Sequence, residues 1–150
     1  VLSGAGQDRL LGGRGDDVLV GRGGDDLLKG GGNDDVLRAG QGDDRLDGGR
    51  GADRINAGGG ADHITGGRGD DVLRGGGGAD VFVFSRAHGE DKIRDFRPEL
   101  DQIDLSALRV TYEALDISRA GRLTVVDTGA GEIRLSGLHP DQIDADDFLF

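Results

Sequence analysis

Nine aspartates recur at intervals of nine residues through the first half of the chain, and they are its strongest chemical signal. They are Asp8, Asp17, Asp26, Asp35, Asp44, Asp53, Asp62, Asp71 and Asp80. Carboxylate oxygens are ligands that hard divalent cations prefer, and a fixed spacing indicates one kind of site built many times. The histidines His63, His88 and His139 are far apart, and no H-E-x-x-H, G-x-S-x-G or P-loop motif is present. We therefore expect metal binding and no catalysis within this chain.

The composition supports a metal-stabilised protein. The 150 residues include 31 Gly and no Cys, only 35% are hydrophobic, and the net charge is -11. A thin apolar core without disulfides needs another stabilising element, and an oxygen-bound metal would supply one. The acidic balance argues against nucleic-acid binding, and no apolar run is long enough to span a membrane. Since the chain contains no Met, we expect a fragment or a processed chain.

The aspartates belong to nine consecutive nine-residue blocks that begin at Ser3. Asp always occupies position six, and position four is Gly except at Asn33. Position eight is always large and apolar: Leu10, Leu19, Leu28, Leu37, Leu46, Ile55, Ile64, Leu73 and Phe82. Of the 31 Gly, 26 precede residue 84, and both Pro follow it. This shift predicts a repeat domain over 1–83 and a second domain over 84–150.

Each block predicts a Gly-rich six-residue turn and a three-residue strand. Alternation along the strand turns position eight toward the core and positions seven and nine outward. Such short strands are stable only when successive coils stack, and stacking places the Asp side chains in two columns. Like charges at that spacing repel one another unless a cation lies between them. An oxygen-only donor set at flexible turns favours Ca²⁺ over Zn²⁺ or Cu²⁺.

The pattern G-G-x-G-x-D-x-U-x, complete in Gly12 to Val20, resembles the RTX (repeats-in-toxin, or hemolysin-type) calcium-binding repeat. The resemblance implies an all-β fold: a right-handed parallel β-roll of nine nonapeptide repeats, followed by a small β-rich C-terminal cap. Two repeats would form one coil, with each ion between a turn and the turn two blocks later. Its ligands would be the carbonyls of positions two and four and the Asp of position six from the earlier turn. The later turn would supply the carbonyls of positions one and three and the Asp of position six.

Applied to this chain, the resemblance implies about seven internal Ca²⁺ sites. The first column would hold four sites: Gly4, Gly6, Asp8 with Gly21, Gly23, Asp26; Arg22, Gly24, Asp26 with Ala39, Gln41, Asp44; Gly40, Gly42, Asp44 with Ala57, Gly59, Asp62; and Gly58, Gly60, Asp62 with Gly75, Gly77, Asp80. The second would hold three: Gly13, Gly15, Asp17 with Gly30, Gly32, Asp35; Gly31, Asn33, Asp35 with Gly48, Arg50, Asp53; and Gly49, Gly51, Asp53 with Gly66, Arg68, Asp71. Arg22 departs from the pattern at position two, where we expect it to strain its turn.

Two further features leave alternatives open. The acids at position five either offset surplus cation charge or are solvated turn residues; they are Asp16, Asp25, Asp34, Asp43 and Asp70. Six arginines of the even-numbered blocks are expected on one side of the roll: Arg14, Arg38, Arg50, Arg54, Arg68 and Arg74. Such a row either binds an anionic polysaccharide, as RTX modules of alginate epimerases are thought to do, or screens the carboxylates.

The second half predicts short strands at 91–96, 102–105, 114–118, 122–127 and 132–135, with a helical turn at 111–115 or 140–143. The segments Asp91 to Phe96 and Asp101 to Ser106 resemble the cap that follows the repeats of serralysin-type proteases. The acidic pair and apolar residues of 146–150 resemble a type I secretion signal.

Together, these resemblances imply an extracellular, calcium-dependent folding and secretion module of a bacterial protein. It would be unfolded in calcium-poor cytosol, exported by an ABC transporter, and attached to an upstream catalytic or toxin domain. The alternative is a calcium-dependent module for binding or adhesion to an anionic, alginate-like polysaccharide within a larger enzyme.

Overall fold

The computed structural model describes residues 1 to 150, and its regular structure is almost entirely β. The strands are β1 (Arg9–Arg14), β2 (Val18–Gly23), β3 (Leu27–Gly32), β4 (Val36–Gln41), β5 (Arg45–Arg50), β6 (Arg54–Gly59), β7 (His63–Arg68), β8 (Val72–Gly77), β9 (Val81–Val83), β10 (Gly89–Ile93), β11 (Gln102–Asp104), β12 (Asp116–Ala120), β13 (Leu123–Asp127), β14 (Gly131–Ser136) and β15 (Phe148–Leu149). Short 3-10 helices occupy Tyr112–Ala114, Pro140–Gln142 and Ala145–Asp147. None of these helices has the length and apolar character needed to cross a membrane.

Successive strands of the repeats alternate between two parallel sheets. The seven-stranded sheet has the order β1-β3-β5-β7-β9-β11-β15, and the eight-stranded sheet has the order β12-β13-β14-β10-β8-β6-β4-β2. Leu10 pairs with Leu28 and Leu19 with Leu37, so neighbouring strands are two repeats apart in the sequence. Two repeats therefore form one coil, and the prediction of a parallel β-roll is confirmed.

The core lies between the two sheets and is built from position eight. All nine of these side chains are at most 3% exposed, from Leu10 to Phe82. Positions seven and nine contribute no buried residue to the repeats, which confirms the predicted alternation. Ala39 and Ala57, at position one, are also buried in this core. Each coil thus buries one large side chain per sheet, too little for stability without its neighbours.

The strands are longer than the sequence predicts. Strands β1 to β8 span six residues each, from position seven of one block to position three of the next, whereas β9 has the predicted three. The Gly-rich half remains extended because it also pairs between coils, as in Gly13 with Gly31 and Arg14 with Gly32. Pairing is interrupted only at position one, so the turn proper is reduced to positions four to six.

The second half continues both sheets beyond the last repeat. Ile93 on β10 pairs with Leu73, and Ile103 on β11 pairs with Phe82. Strand β14 then pairs in parallel with β10, β15 with β11, and β12 to β14 form an antiparallel meander. A helical turn forms at both of the alternative segments. The division at residue 83 remains a prediction, and both sheets run across it.

Candidate metal sites

The position-six carboxylates form a hydrogen-bonded ladder along each column. From Asp26 to Asp80 these residues are at most 2% exposed. In each, Oδ1 accepts the backbone N–H of the position-six residue one coil earlier. The Asp26 N–H, for example, donates to Asp44 at 2.7 Å, and the Asp44 N–H donates to Asp62 at 2.8 Å. This bond holds the carboxylate in one orientation in the gap between turns.

The second oxygen of these carboxylates has no partner. Seven buried Oδ2 atoms accept no hydrogen bond: those of Asp17, Asp26, Asp35, Asp44, Asp53, Asp62 and Asp71. A buried carboxylate oxygen without a donor is strongly unfavourable when it is ionised. Its repetition in every internal turn indicates that a cation is the missing partner.

Backbone carbonyls converge on the same gaps. A Cβ placed on Gly31 would lie 2.3 Å from the Gly13 carbonyl oxygen, and one on Gly42 would lie 2.4 Å from that of Gly24. Carbonyls at positions two and four therefore point toward the later coil. In the opposite direction, the Ala39 carbonyl would lie 2.7 Å from a Cβ on Gly21. The position-three carbonyl also faces back; it accepts the position-four N–H of the earlier coil, as in Gly24 to Gln41 at 2.8 Å.

The donors at each gap are two carboxylates and four carbonyls, the oxygen-only set that suits Ca²⁺. All seven pairs of turns predicted from the repeat are adjacent in the roll, and the assignment of their oxygens as ligands stays a prediction. Nowhere in residues 1 to 150 do three or more His, Cys, Asp or Glu side chains converge as a metal cluster. Any ion in these gaps must therefore take most of its ligands from the backbone.

From Asp35 to Asp80, the carboxyls of both columns have raised pKa values in the absence of a cation. Burial raises the pKa of Asp62 and of Asp71 to about 7, and the pKa of Asp44 and of Asp53 to about 6. Neighbouring carboxylates raise these pKa values further, whereas the backbone N–H donor lowers them. Stacked, buried carboxylates therefore make the metal-free column costly at neutral pH.

Two turns depart from glycine at positions with left-handed backbone. Arg22 has φ 86° at position two, where the other eight repeats have Gly, with positive φ in all but the first of them. Asn33 has φ 78° at position four, a conformation that Asn tolerates better than most residues. The strain expected at Arg22 is therefore present, although its carbonyl keeps the orientation of the other position-two carbonyls. A Cβ on Gly40 would lie 2.0 Å from that oxygen.

The position-five acids have a structural role that sequence reasoning missed. Asp34 accepts the backbone N–H of Ala52 at 2.8 Å, and Asp43 accepts that of Ala61 at 2.8 Å. Asp16, Asp25 and Asp70 accept the corresponding N–H of the following coil. These exposed side chains therefore link each turn to the next coil. They accept N–H groups from the later coil, whereas the position-six carboxylates accept them from the earlier coil.

The ladder extends into the second half through two aspartates absent from the predicted ligands. Asp91 accepts the Asp71 N–H at 3.0 Å, and Asp101 accepts the Asp80 N–H at 3.1 Å. Each begins an Asp-x-Ile triplet that repeats positions six to eight, a signal in the sequence that could have identified them. Both are at most 2% exposed.

Buried His88 completes the end of one column. Its Nδ1 lies 2.8 Å from Asp91 Oδ2, and its Nε2 lies 3.0 Å from Thr128 Oγ1. The side chain therefore supplies the partner that the corresponding Oδ2 atoms of the repeats lack. His63 is exposed, at the outward position seven predicted for it.

The fold and the site define a class: a parallel β-roll whose turns carry stacked carboxylate and carbonyl donors for a divalent cation. The RTX calcium-binding nonapeptide repeat model matches in four copies, over residues 2–37, 20–55, 29–64 and 56–85. These matches cover more than half of the chain, which therefore belongs to the RTX calcium-binding repeat family. The chain thus contains a calcium-binding module.

Relatives of known identity include bacterial epimerases. The chain is 40% identical over 83 residues to mannuronan C5-epimerase AlgE2 of Azotobacter vinelandii, over 44% of this chain and 8% of the epimerase. It is therefore similar to only a small part of that enzyme. The solution structure of the AlgE6R2 subunit of the A. vinelandii mannuronan C5-epimerase is 33% identical, with a TM-score of 0.54, over 91% of this chain and 90% of that one.

A lipase shares the fold. The extracellular lipase LipA of Serratia marcescens matches 99% of this chain and 40% of its own, with a TM-score of 0.51 and 20% identity. At this identity the match concerns the architecture alone.

Proposed function

We propose that this chain is the calcium-dependent folding and secretion module of an extracellular bacterial protein. The observation that carries the proposal is the set of seven buried Oδ2 atoms without a hydrogen-bond partner, arranged in two columns. Each Ca²⁺ would bind between two stacked turns, with the donors predicted above, for about seven internal sites. The chain itself would be non-catalytic, because its paired carboxylates are ligands.

Calcium would decide whether the roll is folded. A ligand that binds only the folded state stabilises it by RT ln(1 + [L]/Kd), about 2.7 kcal/mol per site at a hundredfold excess over Kd. Small domains are stable by roughly 5 to 15 kcal/mol, so several sites exceed that range. Because each coil is stabilised by its neighbours, the sites are expected to fill cooperatively. The chain would be unfolded in calcium-poor cytosol and folded outside the cell.

Circular dichroism during a calcium titration tests this proposal. We expect little β-signal in chelator and a steep gain at millimolar Ca²⁺. A matched pair in one turn separates ligand from surface charge: Asp44→Asn removes a column carboxylate, whereas Asp43→Asn changes the adjacent exposed acid. Asp44→Asn should raise the calcium midpoint several-fold and Asp43→Asn should change it little. A β-signal insensitive to chelation would refute the proposal.

Export as an unfolded chain fits the placement of the C-terminal residues. Asp147 is buried and accepts the N–H groups of Glu99 and Asp144, both at 3.0 Å. Phe148 is also buried and pairs with Ile103. Asp147 and Phe148 would therefore be accessible to a type I ABC transporter only before folding, whereas Asp146, Leu149 and Phe150 are exposed in the folded chain. An upstream catalytic or toxin domain would leave the cell with them.

Export can be measured in cells that carry a type I transporter. Replacing Phe148, Leu149 and Phe150 by Ser should retain the chain in the cell. The control is Ile103→Ala, which weakens the folded cap without changing residues 146–150 and should still be exported. Equal export of both variants would contradict a signal role for this segment.

A second candidate function is binding or adhesion to an anionic, alginate-like polysaccharide, in the context of a larger enzyme. The expectation of one arginine row is wrong: three of the six lie on the seven-stranded sheet (Arg14, Arg50 and Arg68) and three on the eight-stranded sheet (Arg38, Arg54 and Arg74). The cause is that each strand crosses a block boundary. On the eight-stranded sheet, however, Arg94 joins the last three to line a groove of about 330 Å³.

This groove is a cationic surface built on neighbouring strands, which suits a linear polyanion. Alginate titration in saturating Ca²⁺ tests it. The double variant Arg38→Gln/Arg54→Gln should weaken binding several-fold, and Arg14→Gln/Arg50→Gln on the other sheet should not. Absence of alginate binding by the unmodified chain would exclude this function.

A further inference from the structure

One column of the roll extends a turn beyond the last repeat. Gln102 pairs with Val81 and Ile103 with Phe82, so Asp101 stands directly after Asp80 in the position-six column. The Asp80 N–H donates to Asp101 Oδ1 at 3.1 Å, the same bond that links earlier members of this column. The gap between these two turns is therefore built like the gaps between repeats.

This gap contains the side chain of Arg97. Its Nη2 donates to the Gly78 carbonyl, lies 3.5 Å from Asp80 Oδ2 and donates to Asp101 Oδ1 at 3.0 Å. Its Nε and its backbone N–H both donate to Asp101 Oδ2, at 3.3 and 2.9 Å. Gly78 is at position four, so the guanidinium contacts the carbonyl and the carboxylate of the earlier turn and the carboxylate of the later one.

The carboxylate of Asp80 differs from the other buried members of the two columns within the repeats. From Asp17 to Asp71, the buried Oδ2 atoms have no partner, whereas Asp80 Oδ2 has the guanidinium. A guanidinium carries its charge at any physiological pH. In the remaining gaps, the position-four carbonyl and the two position-six carboxylates face each other. In this gap, the Arg97 side chain contacts all three.

We propose that Arg97 is a built-in cation that takes the place of a calcium ion in the gap between Asp80 and Asp101. This inference rests on the proposed calcium sites. It makes the fifth gap of this column independent of calcium, so the column ends on a charge that no chelator removes. The other column ends differently, on His88 and Asp91, with Asp71 Oδ2 still lacking a partner.

Counting bound ions by native mass spectrometry in saturating Ca²⁺ tests the proposal. Arg97→Ala should bind one Ca²⁺ more than the unmodified chain, since it leaves two carboxylates and a carbonyl without a cation. The control Arg86→Ala removes an exposed arginine that lies outside the columns and outside the arginine-lined groove, and it should leave the count unchanged. An Arg97→Ala count equal to that of the unmodified chain would overturn the proposal.

A second variant decides the matter if Arg97→Ala does not fold. Asp101→Asn should keep the calcium count of the unmodified chain, because no ion binds in this gap. A count lower by one would show that Asp101 is a calcium ligand and would overturn the proposal. If the unmodified chain bound no calcium at all, the proposed function would fail instead.

Discussion

The backbone N–H of Asp71 donates a 3.0 Å hydrogen bond to Oδ1 of Asp91, across the point at which the nine-residue period ends. The bond has the geometry of those between repeats, such as Asp53 to Asp71 at 2.8 Å. The residues that follow the repeats therefore continue the carboxylate column. In the next parallel strand, Ile133 pairs with Asp91, so Asp91 is the last carboxylate of this column.

The metal-free protein should become less stable as the pH rises toward neutrality. The pKa of Asp62 and of Asp71 is about 7 in the folded chain, above the ordinary value of 3.8. Between pH 3.8 and about pH 7, the folded chain therefore binds more protons than the unfolded chain. Stability is therefore gained on acidification and lost as the pH rises through about 7. Circular dichroism in metal-stripped buffer should therefore show more β-signal at pH 5 than at pH 8, where little is expected without calcium. More folded protein at pH 8 than at pH 5 would contradict the raised pKa values of these buried aspartates.

Replacing Arg22 by Gly should stabilise the protein. Its φ of 86° costs a non-glycine residue roughly 1–2 kcal/mol, which Gly avoids. Denaturation in saturating Ca²⁺ should show a gain of about 1 kcal/mol in the free energy of unfolding. The control is Arg14→Gly, at a position without positive φ, where extra chain entropy predicts no gain. An equal gain in both variants would show that backbone strain is not the cause.

Gly58→Ala should disrupt a coil. Its φ is 126°, and an added Cβ would lie 2.1 Å from the Gly40 carbonyl oxygen, one of the proposed ligands. We expect a loss of at least about 2 kcal/mol and a higher calcium midpoint for folding. Gly77→Ala is the matched control, since its added Cβ would meet nothing within 4 Å. Similar losses in both variants would refute this explanation.

His88→Ala should destabilise the cap. The change leaves Asp91 Oδ2 and Thr128 Oγ1 without their imidazole partner in a buried setting, at a cost of about 1–3 kcal/mol. Thermal unfolding in saturating Ca²⁺ measures the loss. His63→Ala, on the exposed face of β7, should stay within about 0.5 kcal/mol of the unmodified chain. An unchanged stability of the His88→Ala variant would mean that the buried contacts of His88 contribute nothing to stability.

The repeat itself could be predicted from the sequence, because its structure is local and periodic. A large apolar residue at position eight, Gly at the left-handed positions and Asp at position six each follow from a nine-residue pattern. The burial of Leu19 and Leu28 was therefore predictable, as was the stacking of Asp26 on Asp44. The length of the strands was not, since it depends on pairing between coils and not on any one block.

Beyond the repeats, the Asp-x-Ile triplets single out Asp91 and Asp101 as candidates, but only the tertiary structure decided that they continue the columns. Asp91 lies 20 residues after Asp71, and Asp101 lies 21 after Asp80, instead of the 18 that a fixed period requires. The additional residues are accommodated in the connections, so no periodic search aligns these carboxylates, and Arg97 has no counterpart in the repeat. The sequence determined a calcium-binding roll because blocks that share the same Gly, Asp and apolar positions stack in the same register. How its columns end depends on contacts between dissimilar segments, which only the folded chain brings together.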